Sequence, residues 1–389
     1  MHCNTKQPFS HALTLSRSFA NGETCSVGTL KRDRSEIFFR YVDSYLHSPR
    51  GKNLSPLKLS LETIEQCGPI SPNRGLHGVF ADSLPDGWGM LLLDRICQQE
   101  RFRLCDLTQS ELLSWIGDRA VGAITYNGSC ALPPPKANGN QIVNLCDLGQ
   151  AASCVFEGGN SPLLGKLVIS SAVGGACPKA LLYFSENFQT CSLLPQNGFS
   201  AWIVKFSSPS LPFGHESGIL EAAALSTAQA AGIRVNEYRL FGGKQEKNIP
   251  NSPYWLGVRR FDRTPIGKLH YVSVAGLLDA NYRLPCLDYE DLIRLTALLT
   301  KSQEDTQEMF RRALFNFFIG NCDDHAKNFG FLMDDDGQWH LSPAFDITYS
   351  PNIYGEYATS FAGCGKTLTS ESIQKLGLKA VRKNMLKPT

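Results

Sequence analysis

At 389 residues the chain is longer than one hydrophobic core usually supports, so two or three domains are expected. Hydrophobic residues make up 42% and charged residues 19%, the balance of an ordinary globular protein. A net charge of +2 gives no ground for a broad basic face that binds nucleic acid directly. The thirteen cysteines are odd in number and scattered without Cys-x-x-Cys pairing, which argues against a zinc site and against a disulfide framework. They read as thiols of a reducing cytosol. The first residues lack the apolar run of a secretory signal, and no segment is long enough to span a bilayer. A cytoplasmic protein with no membrane association is the expectation.

Taken in order, residues 1–126 alternate in short β-type runs at His11–Leu15, Thr24–Leu30 and Ile37–Tyr41, with a helix after Pro85. The stretch from Pro133 to Asn140 is a linker or exposed loop. Residues 141–262 mix strands with one clear helix, Glu221 to Gly232. The run Ala201-Trp-Ile-Val-Lys-Phe reads as a strand, and Lys205 at its end has the position of a snorkelling surface lysine. A glycine-rich segment before it, Ser170-Ser-Ala-Val-Gly-Gly-Ala-Cys-Pro-Lys, is either a turn between strands or a place where backbone N–H groups approach phosphate. From about Pro265 the pattern is mostly helical. The basic tail from Lys375 to Lys387 reads as a solvated helix face.

The most specific stretch is 318–347, with the helix that leads into it. Met309, Phe310, Ala313, Leu314, Phe317 and Phe318 recur three and four apart, the stripe of an amphipathic helix over 303–319. Ser302 and Asp305 supply a capping-box-like start, and Gly320 with Asn321 a stop. An acid- and amide-rich loop, Cys322 to Asn328, comes next. Strands Phe329–Met333 and Gln338–Leu341 follow, joined by the turn Asp334-Asp-Asp-Gly. Asp346 lies beyond Pro343, so an acidic loop flanks the hairpin on each side and both loops fall at the same end of it. Carboxylates and an amide converging there are hard oxygen donors suited to magnesium and its phosphates. Surface turn chemistry is the competing explanation of the Asp323-Asp-His cluster, and the expected one for the 334–337 turn.

The series Asn321-x-Asp-Asp-His-x-Lys-Asn, a hairpin, then Leu341-Ser-Pro-Ala-Phe-Asp resembles the catalytic signature of HipA-type serine/threonine-protein kinases, the toxin halves of bacterial toxin–antitoxin pairs. Leu84-Pro-Asp-Gly-Trp-Gly, Ile116-Gly-Asp-Arg-Ala-Val-Gly-Ala, Gly174-Gly-Ala-Cys-Pro-Lys and Val258-Arg-Arg-Phe-Asp-Arg resemble further motifs of that family, in the same order over roughly residues 10–375. The resemblance implies an α+β, bilobal protein-kinase-like fold. Its parts would be a β-rich N-terminal subdomain over 1–126, a nucleotide-binding lobe over 127–262 and a helical lobe over 263–389. It implies ATP and Mg2+ as cofactors and Asp323 as catalytic base, with Asn328 and Asp346 holding the metal and Asp324 at a more variable position.

Nucleotide contacts are implied for Gly174, Gly175, Ala176, Lys179, Lys205, His325 and Lys327, with a loop-bracing role open for His325. Glu221, opening its helix, is the candidate ion-pair partner of Lys205. Residues 259–261 would read adenine through their backbone, placing Arg259 and Phe261 there, with Asp262 near the ribose. Arg259 stands where the family often has glutamate. Ser170 and Ser171 lie near the family's self-phosphorylated serine, about one residue out of register.

By the same kinship the substrate would be a translation factor such as an aminoacyl-tRNA synthetase. A small helix-turn-helix antitoxin would be the partner, and DNA would be met only through it. The stretch after Asp346 is shorter than the family's, so the last helices of the helical lobe are expected to be reduced or missing. Two other functions compete: a pseudokinase that regulates through antitoxin and operator, and a metal-dependent phosphohydrolase built on the Asp-Asp-His cluster.

Overall fold

The computed structural model describes residues 12–34, 36–130, 132, 141–171, 174–242 and 253–381. The linker expected at 133–140 lies outside them, as do His11, Ala172, Val173 and the end of the basic tail.

Two five-stranded antiparallel sheets and a helical region make an α+β fold. The first sheet has the order Gln66–Cys67, Glu36–Tyr41, Thr24–Asp33, Leu13–Ser18, Ile124–Asn127. Alternation decides which face is buried: Leu13 and Leu15 point inward, as do Ile37, Phe39 and Tyr41. Arg17 continues the inward series and is fully buried. Its guanidinium donates to the Asp334 carbonyl at 3.0 Å and lies 4.9 Å from the Phe19 ring centre. Asp335 accepts the Ala20 N–H at 3.1 Å. The 334–337 turn, expected to be plain surface chemistry, is therefore where the N-terminal sheet docks on the helical region.

The second sheet has the order Cys191–Ser192, Lys179–Phe184, Ser200–Lys205, Trp255–Arg259, Tyr238–Phe241. Its register sets Lys179 opposite Lys205, bringing the end of the glycine-rich segment beside the strand lysine. The helix Ser217–Ala230 packs on this sheet. It starts four residues before Glu221, so Glu221 sits in its second turn and does not open it. Two further helices, Leu145–Phe156 and Leu164–Ile169, occupy a stretch expected to hold strands and one helix. Leu145, Leu148, Ala152 and Val155 carry the helical period of the first, and Asn144 caps it by accepting the Cys146 and Asp147 N–H groups.

In the helical region Tyr289–Thr300, Gln303–Phe318 and Ser370–Val381 pack together. The hairpin forms at Gly330–Met333 and Trp339–Leu341, and His270–Ser273 adds a third strand that the helical pattern after Pro265 did not suggest. One hydrophobic core runs from Leu13 to Ala380 through all three regions. Among the described residues no helix is long and apolar enough to cross a membrane.

The helix Gln303–Phe318 buries a face more polar than its apolar stripe announces. Ser302 caps it as expected, accepting the Asp305 N–H at 3.1 Å. Phe318 is 72% exposed, whereas Asp305, Glu308, Arg312 and Asn316 are buried. Arg312 pairs with Glu308 and donates to the Ser342 carbonyl at 2.7 Å, while Arg234 reaches both Asp305 and Glu308. Asp305 also accepts the Leu341 N–H at 3.2 Å. This charge cluster bolts the end of the hairpin, and so the approach to Asp346, to the helix that leads into the acidic loop. Breaking a buried pair leaves an uncompensated charge. Arg312→Ala is expected to lower unfolding free energy in urea by on the order of 3 kcal/mol. A loss under about 1 kcal/mol would show that the cluster does not anchor the hairpin.

Candidate active site

The acidic loop is held by alternating inward and outward side chains. Gly320, at φ 69°, ends the helix, and the Cys322 N–H donates to the Ser350 carbonyl at 2.9 Å. Asp324 points inward and is fully buried. Its carboxylate accepts the Tyr289 hydroxyl at 2.7 Å and the Thr359 N–H at 3.1 Å, and Asn316 donates to the same tyrosine oxygen at 2.8 Å. With Asp324 rooted, Asp323 points out, its side chain 67% exposed. The His325 Nε2 lies 3.9 Å from Asp323 Oδ1, and Asn328 donates from Nδ2 to the Asp323 carbonyl at 2.6 Å. Surrounding protein pushes the Asp323 pKa up; His325 opposes that shift and the Asp346 charge adds to it. A carboxylate with a raised pKa, facing outward, is suited to taking a proton from an approaching hydroxyl.

Lys205 is the electrostatic centre. Its ammonium donates to Glu221 at 2.7 Å and to Asp346. Burial alone would lower the lysine's pKa, but the two carboxylates more than reverse this and hold it charged. Burial would likewise raise Asp346, yet Lys205 and then Lys179 keep it well below the usual carboxylate range. Asp346 stands in left-handed backbone, φ 53°, a conformation that costs a non-glycine residue about a kilocalorie or more and clusters at functional sites.

The glycine-rich segment is gripped by a neighbour that sequence reasoning gave no role. Gly175, at φ 109°, donates its N–H to Asp86, the acid of the Leu84-Pro-Asp-Gly-Trp-Gly motif. Lys179 donates to the Gly174 carbonyl at 2.8 Å, and Lys327 reaches Asp86 at 2.7 Å and lies 4.4 Å from the Tyr282 ring centre. Gly174 and Ala176 are exposed. The signal in the sequence was an acid set between proline and glycine at a helix start, a pattern equally common in plain capping. Ser170 and Ser171 are buried, and their hydroxyls donate to carbonyls of the helix before them.

The hinge residues are only partly at the site. Phe261 packs on Phe345, the neighbour of Asp346, with ring centres 5.5 Å apart. Arg259 points away and pairs with Glu237 at 2.9 Å, and the N–H groups of Arg259 and Arg260 donate within the sheet, to Glu237 and Ala201 carbonyls. The expectation of Asp262 beside a ribose needs correction. Asp262 is buried, and its carboxylate accepts Arg260 and Arg263 at 2.7 Å each and the Gly122 N–H at 2.6 Å. It ties the hinge to the Ile116–Ala123 motif and, at 2% exposed, presents no surface to a sugar.

Asn328 and Asp346 line one pocket together with Asn321, whose buried side-chain oxygen has no partner. An ionised carboxylate and two amide oxygens fit a hard divalent cation such as magnesium. Among the described residues no group of three or more His, Cys, Asp or Glu is placed to cage a metal. Magnesium bound through one or two protein donors and substrate phosphates needs no such cage.

The antiparallel sheet with its lysine–glutamate pair, set against a helical region that carries the acidic loops, defines a kinase-like α+β protein. The HipA N-terminal domain family matches residues 21–127 and the HipA-like C-terminal domain family residues 171–387; the chain belongs to the HipA family. It is 31% identical over 195 residues to Y4dM, a candidate kinase of Sinorhizobium fredii, a match covering 46% of each chain. The matched region therefore spans about half the length of that relative. The fold is shared with Shewanella oneidensis MR-1 HipA, solved with HipB and operator DNA, at a TM-score of 0.63 and 18% identity over 93% of this chain and 84% of that one.

Asp324 provides a test of how the loop is anchored. Burial pushes its pKa up to about 7 from 3.8, with Tyr289 and Thr359 opposing. The folded protein thus holds this proton more tightly than the unfolded chain. Stability from that proton is complete below about pH 4 and is lost as the pH rises through 7, at no more than about 1.4 kcal/mol per unit. Asp324→Asn should remove this slope from denaturant melts taken between pH 4 and 8. A slope unchanged in the variant would show that the titrating group lies elsewhere.

Proposed function

We propose that the chain is an ATP- and Mg2+-dependent protein kinase of the HipA type that transfers the γ-phosphate to a serine or threonine hydroxyl. The observation that carries this reading is Lys205 bonded at once to Glu221 and Asp346, with Asp323 facing outward close by. In kinases the strand lysine and its glutamate must be paired for phosphates to be positioned, and a loop aspartate receives the hydroxyl proton. Asp323 takes that proton. Lys205 neutralises phosphate oxygens, with Lys179, His325 and Lys327 adding positive charge or donors around them. Gly174, Gly175 and Ala176 line the phosphate side through their backbone. Magnesium, held by Asn328 and Asp346, would neutralise charge between the phosphates.

Adenine binds against Phe261, read by hinge backbone other than the N–H groups of Arg259 and Arg260. The ribose finds its partners elsewhere than Asp262.

By kinship the partner is a small helix-turn-helix antitoxin of the HipB kind, through which operator DNA is reached. The protein substrate is a translation factor such as an aminoacyl-tRNA synthetase. A cytoplasmic location suits both.

Purified protein incubated with labelled ATP, magnesium and bacterial lysate should transfer label to protein, and Asp323→Ala should reduce the rate by about 10²- to 10⁴-fold. Nucleotide binding with equal, negligible transfer in both proteins would instead support the regulator. Release of phosphate from simple phosphoesters without ATP would support the hydrolase.

A further inference from the structure

Asp86 is the residue before the helix Gly87–Gln99, yet its side chain makes no capping bond there. The carboxylate turns sideways to two groups from other parts of the chain. One oxygen accepts the Gly175 N–H, and the other accepts the Lys327 ammonium at 2.7 Å. The next two residues fix the approach. Gly87, at φ 33°, lies so close to the glycine-rich segment that a Cβ would stand 2.6 Å from Ala176 Cα and 2.7 Å from the Gly175 oxygen. Trp88 donates its N–H to the Gly175 carbonyl at 2.9 Å and its indole N–H to the Lys179 carbonyl at 2.8 Å. Asp86 itself is only 8% exposed. Burial works against its charge, but Lys327, the Gly175 N–H and Lys179 together keep it ionised.

A backbone N–H in a glycine-rich turn and a lysine ammonium are a donor pair that takes a phosphate oxygen. Here a carboxylate stands on both members. Carboxylate and phosphate oxygens make the same demand for donors and carry the same sign of charge. They cannot both hold the pair at full strength.

We infer that Asp86 is an internal anion of the phosphate site, competing with nucleotide phosphates for Gly175 and Lys327 and so setting how tightly a nucleotide is held. This rests on the nucleotide-binding reading above. It differs from a purely mechanical role, in which Asp86 only shapes the glycine-rich segment and losing its charge weakens binding.

Asp86→Asn separates the two, because its amide oxygen can still accept the Gly175 N–H while the charge is gone. Calorimetric titration of the full chain with Mg·ATP should show tighter binding in the variant, on the order of tenfold at low salt. The gain should shrink as salt rises from about 0.05 M to about 0.5 M. Tripolyphosphate should show the same gain and adenosine none. Unchanged or weaker Mg·ATP binding, or an equal gain for adenosine, overturns the inference. Should Asp86→Asn fail to fold, Asp86→Ser retains an acceptor and carries the same expectations. Wild type that binds without a gain in the variant defeats the internal anion alone. Failure of wild type and variant alike to bind any nucleotide defeats the nucleotide site and the internal anion with it.

Discussion

A single, partly buried ammonium group organises this molecule. Lys205 ends a central strand of the second sheet, Glu221 comes from the helix packed on that sheet, and Asp346 arrives from the loop beyond the hairpin. Two carboxylates on one lysine satisfy a charge that burial would otherwise penalise by several kilocalories per mole. The arrangement holds only if sheet, helix and hairpin keep their relative places. The register that sets Lys179 beside Lys205 and the charge cluster that fixes the end of the hairpin both serve that end.

The N-terminal region belongs to the same construction. Arg17 and Ala20 grip the hairpin turn, Asp82 accepts the Ser273 N–H and hydroxyl at 2.7 Å each, and Asp86 holds the glycine-rich segment and Lys327. The Ile116–Ala123 motif closes on the hinge through Asp262. A region that the chain order presents as a separate cap thus supplies polar anchors to the hairpin turn, the glycine-rich segment and the hinge, and its apolar residues share the largest hydrophobic cluster with the rest of the chain.

How much of this could be read in advance depended on whether the relevant physics was local. The helix over 303–318, its Ser302 cap, the hairpin and the strand carrying Lys205 follow from period and capping within a few residues, and they stand where expected. The polar side of that helix did not show itself, because Glu308 and Arg312 look like solvated charges until Ser342 and Arg234 come within reach. Asp262 was misplaced for a related reason: two arginines beside it in sequence turn inward with it, and only the fold reveals that Gly122 completes the set. Asp324 and Asp86 each owe their surroundings to residues more than thirty positions away, so no window of sequence could separate them from exposed acids. Kinship, in contrast, placed the acidic loops in the right family from a handful of ordered motifs.

The outward aspartate, the pocket amide and the strand lysine must address one bound nucleotide for this site to work as a kinase. A crystal structure of the protein with a non-hydrolysable ATP analogue and manganese tests this most directly, since the cation can be located by its anomalous scattering. The expected density places the cation between Asn328 and Asp346, the phosphates beside Lys205, and Asp323 facing the terminal phosphate. A nucleotide bound elsewhere, or a cation that touches neither Asn328 nor Asp346, would contradict it.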